Sequence, residues 1–296
     1  MRWNAWPGIE GARISTILAL IDGSIYSHSV CDHAAWAAAR SVAPVELLHV
    51  IGRRLASEAP DLSTYLGVEE NARLLAELTA HDEQAAKLAQ RRARAILDAA
   101  RARMVEAGMA DVAVRLRQGD LADTLADLAP STALVVIGKR GEAADFAKLH
   151  LGSNLERILR SSIRPVMVTS RAFRPIARVL VAFDGGPSAV KAVAHIAGDA
   201  LLRGLPIHLL TVGSPAAQAA TRLAEAEARL RAAGYDASSE IRPGQPEEVI
   251  AEAVRQRSAD LLVMGAYGHS RIRTLFIGST TTDVIRSCLI PVLLFR

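Results

Sequence analysis

Ile17-Leu18-Ala19-Leu20-Ile21-Asp22-Gly23 and Val179-Leu180-Val181-Ala182-Phe183-Asp184-Gly185 are two versions of one pattern, an apolar run of strand length that ends in an acid and a glycine. His33 and His195 follow their aspartates at the same distance, and Val45-Glu46-Leu47-Leu48-His49-Val50 is matched by Ile207-His208-Leu209-Leu210-Thr211-Val212. At the far end, the spacing from Gly152-Ser153 through Arg160-Ser161 to Pro165-Val166 returns in Gly278-Ser279, Arg286-Ser287 and Pro291-Val292. Agreement in order and spacing at so many points marks an internal duplication.

Within each half, short Val, Ile and Leu runs alternate with longer Ala, Arg and Glu-rich stretches of helical period. That alternation predicts an α/β fold, a parallel sheet covered by helices through right-handed crossovers. The second half predicts strands near 178–183, 206–212, 237–242, 260–265 and 291–295, with helices near 188–203, 216–233, 246–257 and 279–288. Pro246-Glu247-Glu248 suits a helix start, because proline fits the first turn and carboxylates favour the positive end. Asp120 does similar work in the first half. The halves divide as domains 1–172 and 173–296, joined at Ser170-Arg171-Ala172-Phe173-Arg174-Pro175. The first carries extra length within Arg53 to Gly108. Its segment from Val68 to Ala107 is nearly free of Gly and Pro, and predicts one or two long helices. An enlarged covering helix is the plainer account of them, and a packing arm or partner surface is the other.

A chain of 296 residues is the length of two domains, and 50% hydrophobic residues supply ample core. No apolar stretch approaches the roughly 20 residues that span a bilayer, and Met1 to Pro7 lacks the apolar centre of a signal peptide. A soluble, cytoplasmic protein without membrane insertion is expected. The formal charge of +4 comes from arginines scattered among acids, and aromatics are only 4%, so nucleic acid is not the expected partner. Cys31 and Cys288, the only cysteines, read as buried free thiols on helices. The eight histidines form no ligand grouping, so no metal site is expected. His33 and His195 read as packing residues.

Chemistry gathers at Gly265-Ala266-Tyr267-Gly268, which follows the apolar run Leu261 to Met264 and is followed after nine residues by Gly278-Ser279-Thr280. Glycine lets a backbone turn and approach a ligand closely, and a helix start offers free N–H groups to an anion. In an open α/β sheet, ligands collect beyond the carboxyl ends of the strands where strand order reverses. There Asp184 can take a ribose hydroxyl or base amine, backbone near Val212 can read an adenine edge, and Ser279 and Thr280 can donate to phosphate. His269, Arg271 and Arg273, between the glycines, either hold phosphate or face water. Each part also has a plain reading: Asp184-Gly185-Gly186-Pro187 as a tight turn, Ser279 to Thr282 as a helix cap. A variant copy, Gly138-Lys139-Arg140-Gly141, stands ten residues before Gly152-Ser153-Asn154. The added residue shifts the helix start relative to the strand, though Lys139, Arg140 and Lys148 offer compensating charge.

The strand-end Asp, the G-x2-G-x9-G-(S/T) pattern and the terminal Pro-Val strand together resemble the universal stress protein family, as a tandem two-domain member. Gly265, Gly268, Gly278 and Ser279 match the nucleotide pattern of its ATP-binding branch. Asp22-Gly23-Ser24 with Ser27 is similar to the family's first strand-to-helix turn, where Gly186 and Ala189 stand in the second half. The resemblance implies two Rossmann-like, adenine nucleotide alpha hydrolase-like domains, each a five-stranded parallel sheet of order 3-2-1-4-5 with helices on both faces. It also implies that Pro165–Thr169 and Pro291–Phe295 pair antiparallel, making an intramolecular pseudo-dimer. The expected ligand is ATP, with Mg2+ carried by its phosphates. The expected binding residues are Ala182, Phe183, Asp184, Val212, Met264, Gly265, Gly268, Gly278, Ser279 and Thr280, joined by His269 and Arg271. Asp22, Gly138, Gly141, Gly152 and Ser153 would form the first-half counterpart. No P-loop lysine and no dedicated base are evident, so no catalytic residue is named and at most slow hydrolysis is expected. The implied role is a stress-response regulator with an unidentified protein partner and room for a homodimer. The alternatives are an interaction scaffold that binds no nucleotide, or a nucleotide-dependent transferase or hydrolase.

Overall fold

The computed structural model describes residues 15–52, 68–109, 111–141, 153–214, 216–266 and 279–296. The first half runs β1 (Thr16–Leu20), α1 (Ser27–Ser41), β2 (Val45–Ile51), α2 (Val68–Glu106), β3 (Val112–Gln118), α3 (Leu121–Leu128), β4 (Thr132–Gly138), α4 (Ser153–Ser161) and β5 (Val166–Thr169). The second repeats it as β6 (Val179–Ala182), α5 (Pro187–Gly198), β7 (Ile207–Val212), α6 (Ala217–Ala232), β8 (Ala237–Arg242), α7 (Pro246–Gln256), β9 (Leu261–Gly265), α8 (Ser279–Ser287) and β10 (Val292–Phe295).

All the described strands join one 10-stranded sheet of order β3-β2-β1-β4-β5-β10-β9-β6-β7-β8. Each half is parallel in the order 3-2-1-4-5. The halves meet where β5 and β10 pair antiparallel, Val168 opposite Val292 and Met167 opposite Leu293. That pairing satisfies two apolar edges that would otherwise template association. It makes the chain an intramolecular pseudo-dimer.

Period-two alternation sends side chains to opposite faces of the sheet. Ile17, Ala19, Leu47, Val136, Val181, Leu209 and Val263 pack under α1, α2, α5 and α6. Leu18, Leu48, Val135, Leu180, Leu210 and Leu262 pack under α3, α4, α7 and α8. Each buried Leu, Ile or Val contributes roughly 1.5–3 kcal/mol. Each layer draws residues from both halves.

Arginines and one lysine fasten the halves further. Arg40 Nε donates to the Leu201 carbonyl at 2.5 Å, and Arg296 donates to the Arg160 carbonyl at the end of α4. Asp120 caps α3 by accepting from the Ala122 and Asp123 N–H groups, as its position predicts.

Three local expectations need correction. The helix expected to reach 203 stops at Gly198, because Asp199 turns extended and its carboxylate takes the Leu201 N–H at 2.7 Å. Cys288 follows α8 rather than lying on it and is half-buried, whereas Cys31 is buried in α1 with its thiol pushed up to about 12 by burial. The long first-half segment is one helix of 39 residues, of which only the carboxyl part covers the sheet. There Leu97, Ala100 and Met104 are buried, and Arg103 grips Asp32 through two bonds of 2.8 and 2.7 Å. No helix among the described residues is long and apolar enough to cross a membrane.

Candidate functional site

In the second half the order of strands reverses between β6 and β9. These neighbours are in register, Ala182 opposite Met264. The chain leaves β6 toward β7 on one side and leaves β9 toward β10 on the other. A crevice is therefore left beyond their carboxyl ends.

Asp184 stands at its mouth. Its side chain is exposed, and Oδ1 accepts the Gly186 N–H at 2.8 Å. Gly185, at φ +72°, provides the left-handed turn this requires. Phe183 sets the position from below. Its ring lies in the core, its N–H donates to the Leu210 carbonyl at 2.8 Å, and its carbonyl accepts from Thr211 Oγ1 at 2.7 Å. Ala182 and Val212 are half-buried at the ends of β6 and β7, and Met264 is buried in the layer under α7 and α8.

Gly265 has a packing reason that the sequence did not reveal. A Cβ there would lie 2.9 Å from Ser188 Cβ and 3.2 Å from Ala189 N, so only glycine lets the first turn of α5 cross the end of β9. Gly186, the cap of α5, makes no side-chain cap bond, which leaves that helix start with donors for other acceptors. The start of α8 is tied to the same place, because buried Thr281 donates to the Ala266 carbonyl at 3.2 Å. Two helix amino ends and one carboxylate thus surround the end of β9. Ser279 and Thr280 form the first turn of α8. Gly268, His269, Arg271, Arg273 and Gly278 lie outside the described residues.

Sequence reasoning missed Thr281, although the run Ser279-Thr280-Thr281-Thr282 signalled it, and it missed Arg222. Arg222, on α6, passes its Cδ 3.1 Å from where a Gly185 Cβ would stand. It is exposed and places a cation over the Asp184–Gly185 turn.

The first-half turn is built differently. Asp22 is half-buried, and its Oδ1 accepts from Ser24 N–H at 2.9 Å and Ser27 Oγ at 3.3 Å. Ser27 Oγ in turn accepts the Gly23 N–H at 3.0 Å. Gly141 closes from the opposite strand, with its Cβ position 3.1 Å from Asp22 Oδ2, and Gly138 is pressed by Tyr26 Cβ at 2.6 Å from its own. Ile96 of α2 covers Gly23 where Arg222 covers Gly185.

Lys139 overturns the expectation that it would compensate a displaced phosphate site. Its Nζ donates to the Arg286 carbonyl at 2.7 Å and the Cys288 carbonyl at 3.1 Å, at the negative end of α8 in the other half. Burial lowers the pKa of its ammonium. Ser153 opens α4, while Lys148 and Gly152 lie outside the described residues.

His33 and His195 pack, as read. His33 is fully buried, its Nδ1 bonded to the Ser29 carbonyl at 2.7 Å and its ring edge-on to Phe173 at 5.0 Å. His195 lies 5.1 Å from the Phe295 ring, and burial lowers the pKa of both.

The model of the universal stress protein family matches residues 13–170 and again 175–296. The chain belongs to the universal stress protein family. A universal stress protein of Synechocystis, Slr1230, is 40% identical over 96% of this chain and 100% of its own length. A universal stress protein of Mycolicibacterium smegmatis is 27% identical over 97% of this chain and 99% of its own. Among solved structures, a universal stress protein of Archaeoglobus fulgidus superposes with a TM-score of 0.64 at 22% identity, covering 96% of this chain and 99% of that one. These relatives match along nearly the whole of both halves, so this is a tandem universal stress protein.

Proposed function

We propose that this tandem universal stress protein is a stress-response regulator that binds ATP mainly in its second half, residues 173–296, with little or no hydrolysis. The observation that carries the reading is the convergence of Asp184, the glycine-requiring end of β9 and the amino end of α8 at one strand-order reversal. Asp184 would accept from a ribose hydroxyl or base amine. Backbone at Val212 would read an adenine edge. Gly268, Gly278 and the first turn of α8, with Ser279 and Thr280, would hold the phosphates and the Mg2+ they carry. Asp184 is fixed through Gly186 and Phe183, so it is preorganised rather than recruited on binding.

Hydrolysis would need a placed base and a charge clamp on the transferring phosphoryl, and the sequence offers no P-loop lysine to supply the second. Occupancy, rather than turnover, is then the signal.

The decisive experiment denatures freshly purified full-length protein, identifies the released small molecules, and titrates the emptied protein with ATP and Mg2+ by calorimetry. An adenine nucleotide, or ATP binding lost in Gly278→Val and retained in Gly152→Val, is the expected outcome. Neither release nor binding would leave the interaction scaffold as the function of the fold.

A further inference from the structure

The amino part of α2 leaves the body of the protein. From Glu69 to Gln84, every side chain that is described is exposed. These 16 residues extend about 24 Å at 1.5 Å per residue. An isolated helix of that length is marginal in water. The arm nevertheless carries Leu74, Leu75 and Leu78, exposed by 40%, 45% and 52%, and Leu88 follows at 61%. At 100° per residue, these leucines with Ala85 and Ala89 fall within an arc of about 140°, the width of a face that packs on another element, and His81 and Asp82 interrupt it at mid-length. Leu75 and Leu78 continue the stripe that, nearer the body, buries Ala93, Leu97, Ala100 and Met104.

Charge is sorted along the same arm. Residues 69–83 hold Glu69, Glu70, Glu77, Asp82 and Glu83 against Arg73, which pairs with Glu77 at 3.4 Å. Residues 87–94 hold Lys87, Arg91, Arg92 and Arg94 and no acid. Two such arms side by side in parallel would set acid against acid. Antiparallel, the acids from Glu69 to Glu77 meet the other copy's basic stretch and Asp82 meets its His81, which selects both partner and direction.

We propose that the arm is a docking surface for a second copy of this chain, the two α2 helices packing antiparallel about a two-fold axis between residues 81 and 82. That register sets Leu75 opposite Leu88 of the second copy and Leu78 opposite Ala85. Glu69 and Glu70 lie beside Arg92 and Arg94 of the second copy, and Glu77 beside Lys87. The surface is isologous, so association closes at a dimer. It is remote from the pairing of β5 and β10, and it does not depend on nucleotide.

Sedimentation equilibrium of the full chain across the micromolar range tests it. The wild type is expected to show a monomer–dimer equilibrium that Leu75→Glu with Leu78→Glu weakens at least tenfold, with unchanged far-UV circular dichroism because both positions are exposed. Glu70→Lys with Glu77→Lys, and Lys87→Glu with Arg94→Glu, should each be monomeric alone and dimerise when mixed. A wild type that stays monomeric throughout overturns the proposal. So does a dimer unmoved by the leucine pair, which would point to the sheet edges at β3 and β8, and so does a charge-swapped mixture that fails to associate.

Discussion

Asp22 and Asp184 occupy the same place in the two halves, yet they are held in different ways. Around Asp22, Ser24 and Ser27 turn the carboxylate inward, Gly141 closes beside it, and Ile96 lies over the turn. Around Asp184, Gly186 and Ala189 stand where those serines were, the carboxylate is exposed, and an arginine replaces the isoleucine. Gly186 N–H repeats the bond that Ser24 N–H makes, so what the second half lacks is the Ser27 hydroxyl, and its carboxylate stands exposed where Asp22 is half-buried. One duplicated frame thus holds its strand-end acid with a side-chain hydroxyl in one half and without it in the other.

The sharpest way to break this comparison is to remove each acid. Asp184→Ala is expected to weaken ATP binding by about 2–3 kcal/mol, the scale of a hydrogen bond to a charged group, whereas Asp22→Ala leaves affinity unchanged. Calorimetric titration of both variants checks it, and equal losses would show that the first-half turn opens to ligand. Next in size, Gly138→Ala and Gly265→Ala should each lose about 1–3 kcal/mol of stability through overpacking, read as a fall in Tm. Here the halves should behave alike, since both glycines admit the first turn of a helix against a strand end.

Smaller still, Ser27→Ala should cost about 1 kcal/mol of stability with no change in nucleotide binding, as for a lost cap. Ala189→Ser in the second half should move neither by more than about 0.5 kcal/mol.

A comparably small effect lies at the sheet edges. On β2 and β3, Glu46 pairs with Arg115 at 2.5 Å, and at the matching positions of β7 and β8 stand His208 and Glu240 at 3.0 Å. Burial opposes the Glu240 charge, but hydrogen bonds from Arg257, Arg242 and His208 prevail and hold its carboxyl at about 2. A carboxylate depressed on folding stabilises above its unfolded value, near 4.5, and loses that stabilisation as pH falls toward 2. Glu240→Gln should therefore be less stable than wild type by about 1 kcal/mol or less at pH 7, with the difference shrinking below pH 4.5 in thermal melts.

Much of the fold was legible because it is written in local periodicity. Runs such as Leu261 to Met264 announce buried parallel strands, and the repeated offsets from Asp22 and Asp184 announce duplication before any contact is known. The candidate site was legible where a residue type has a local reason. Asp184 ends a strand, and Ser279 opens a helix. What escaped detection depends on partners far along the chain. Arg222 is one arginine among many on a helix until α6 crosses the Gly185 turn. Lys139 sits in a loop that reads as phosphate-binding until β5 and β10 pair and bring the carbonyl end of α8 to it. The long α2 reads as a covering helix, since a helical pattern reveals an apolar face but not whether anything lies against it.

The amino-acid sequence by itself determined the α/β class, the two halves, the strand ends that carry aspartate and glycine, and the length and charge order of the α2 arm, because each depends on spacing along a few turns or strands. Only the tertiary structure decided which aspartate is the more exposed, where Lys139 places its charge, why Gly265 must lack a side chain, and which described part of α2 stays exposed. Those outcomes depend on the distances between elements brought together by the sheet, and a pairing such as β5 with β10 joins residues separated by more than a hundred positions.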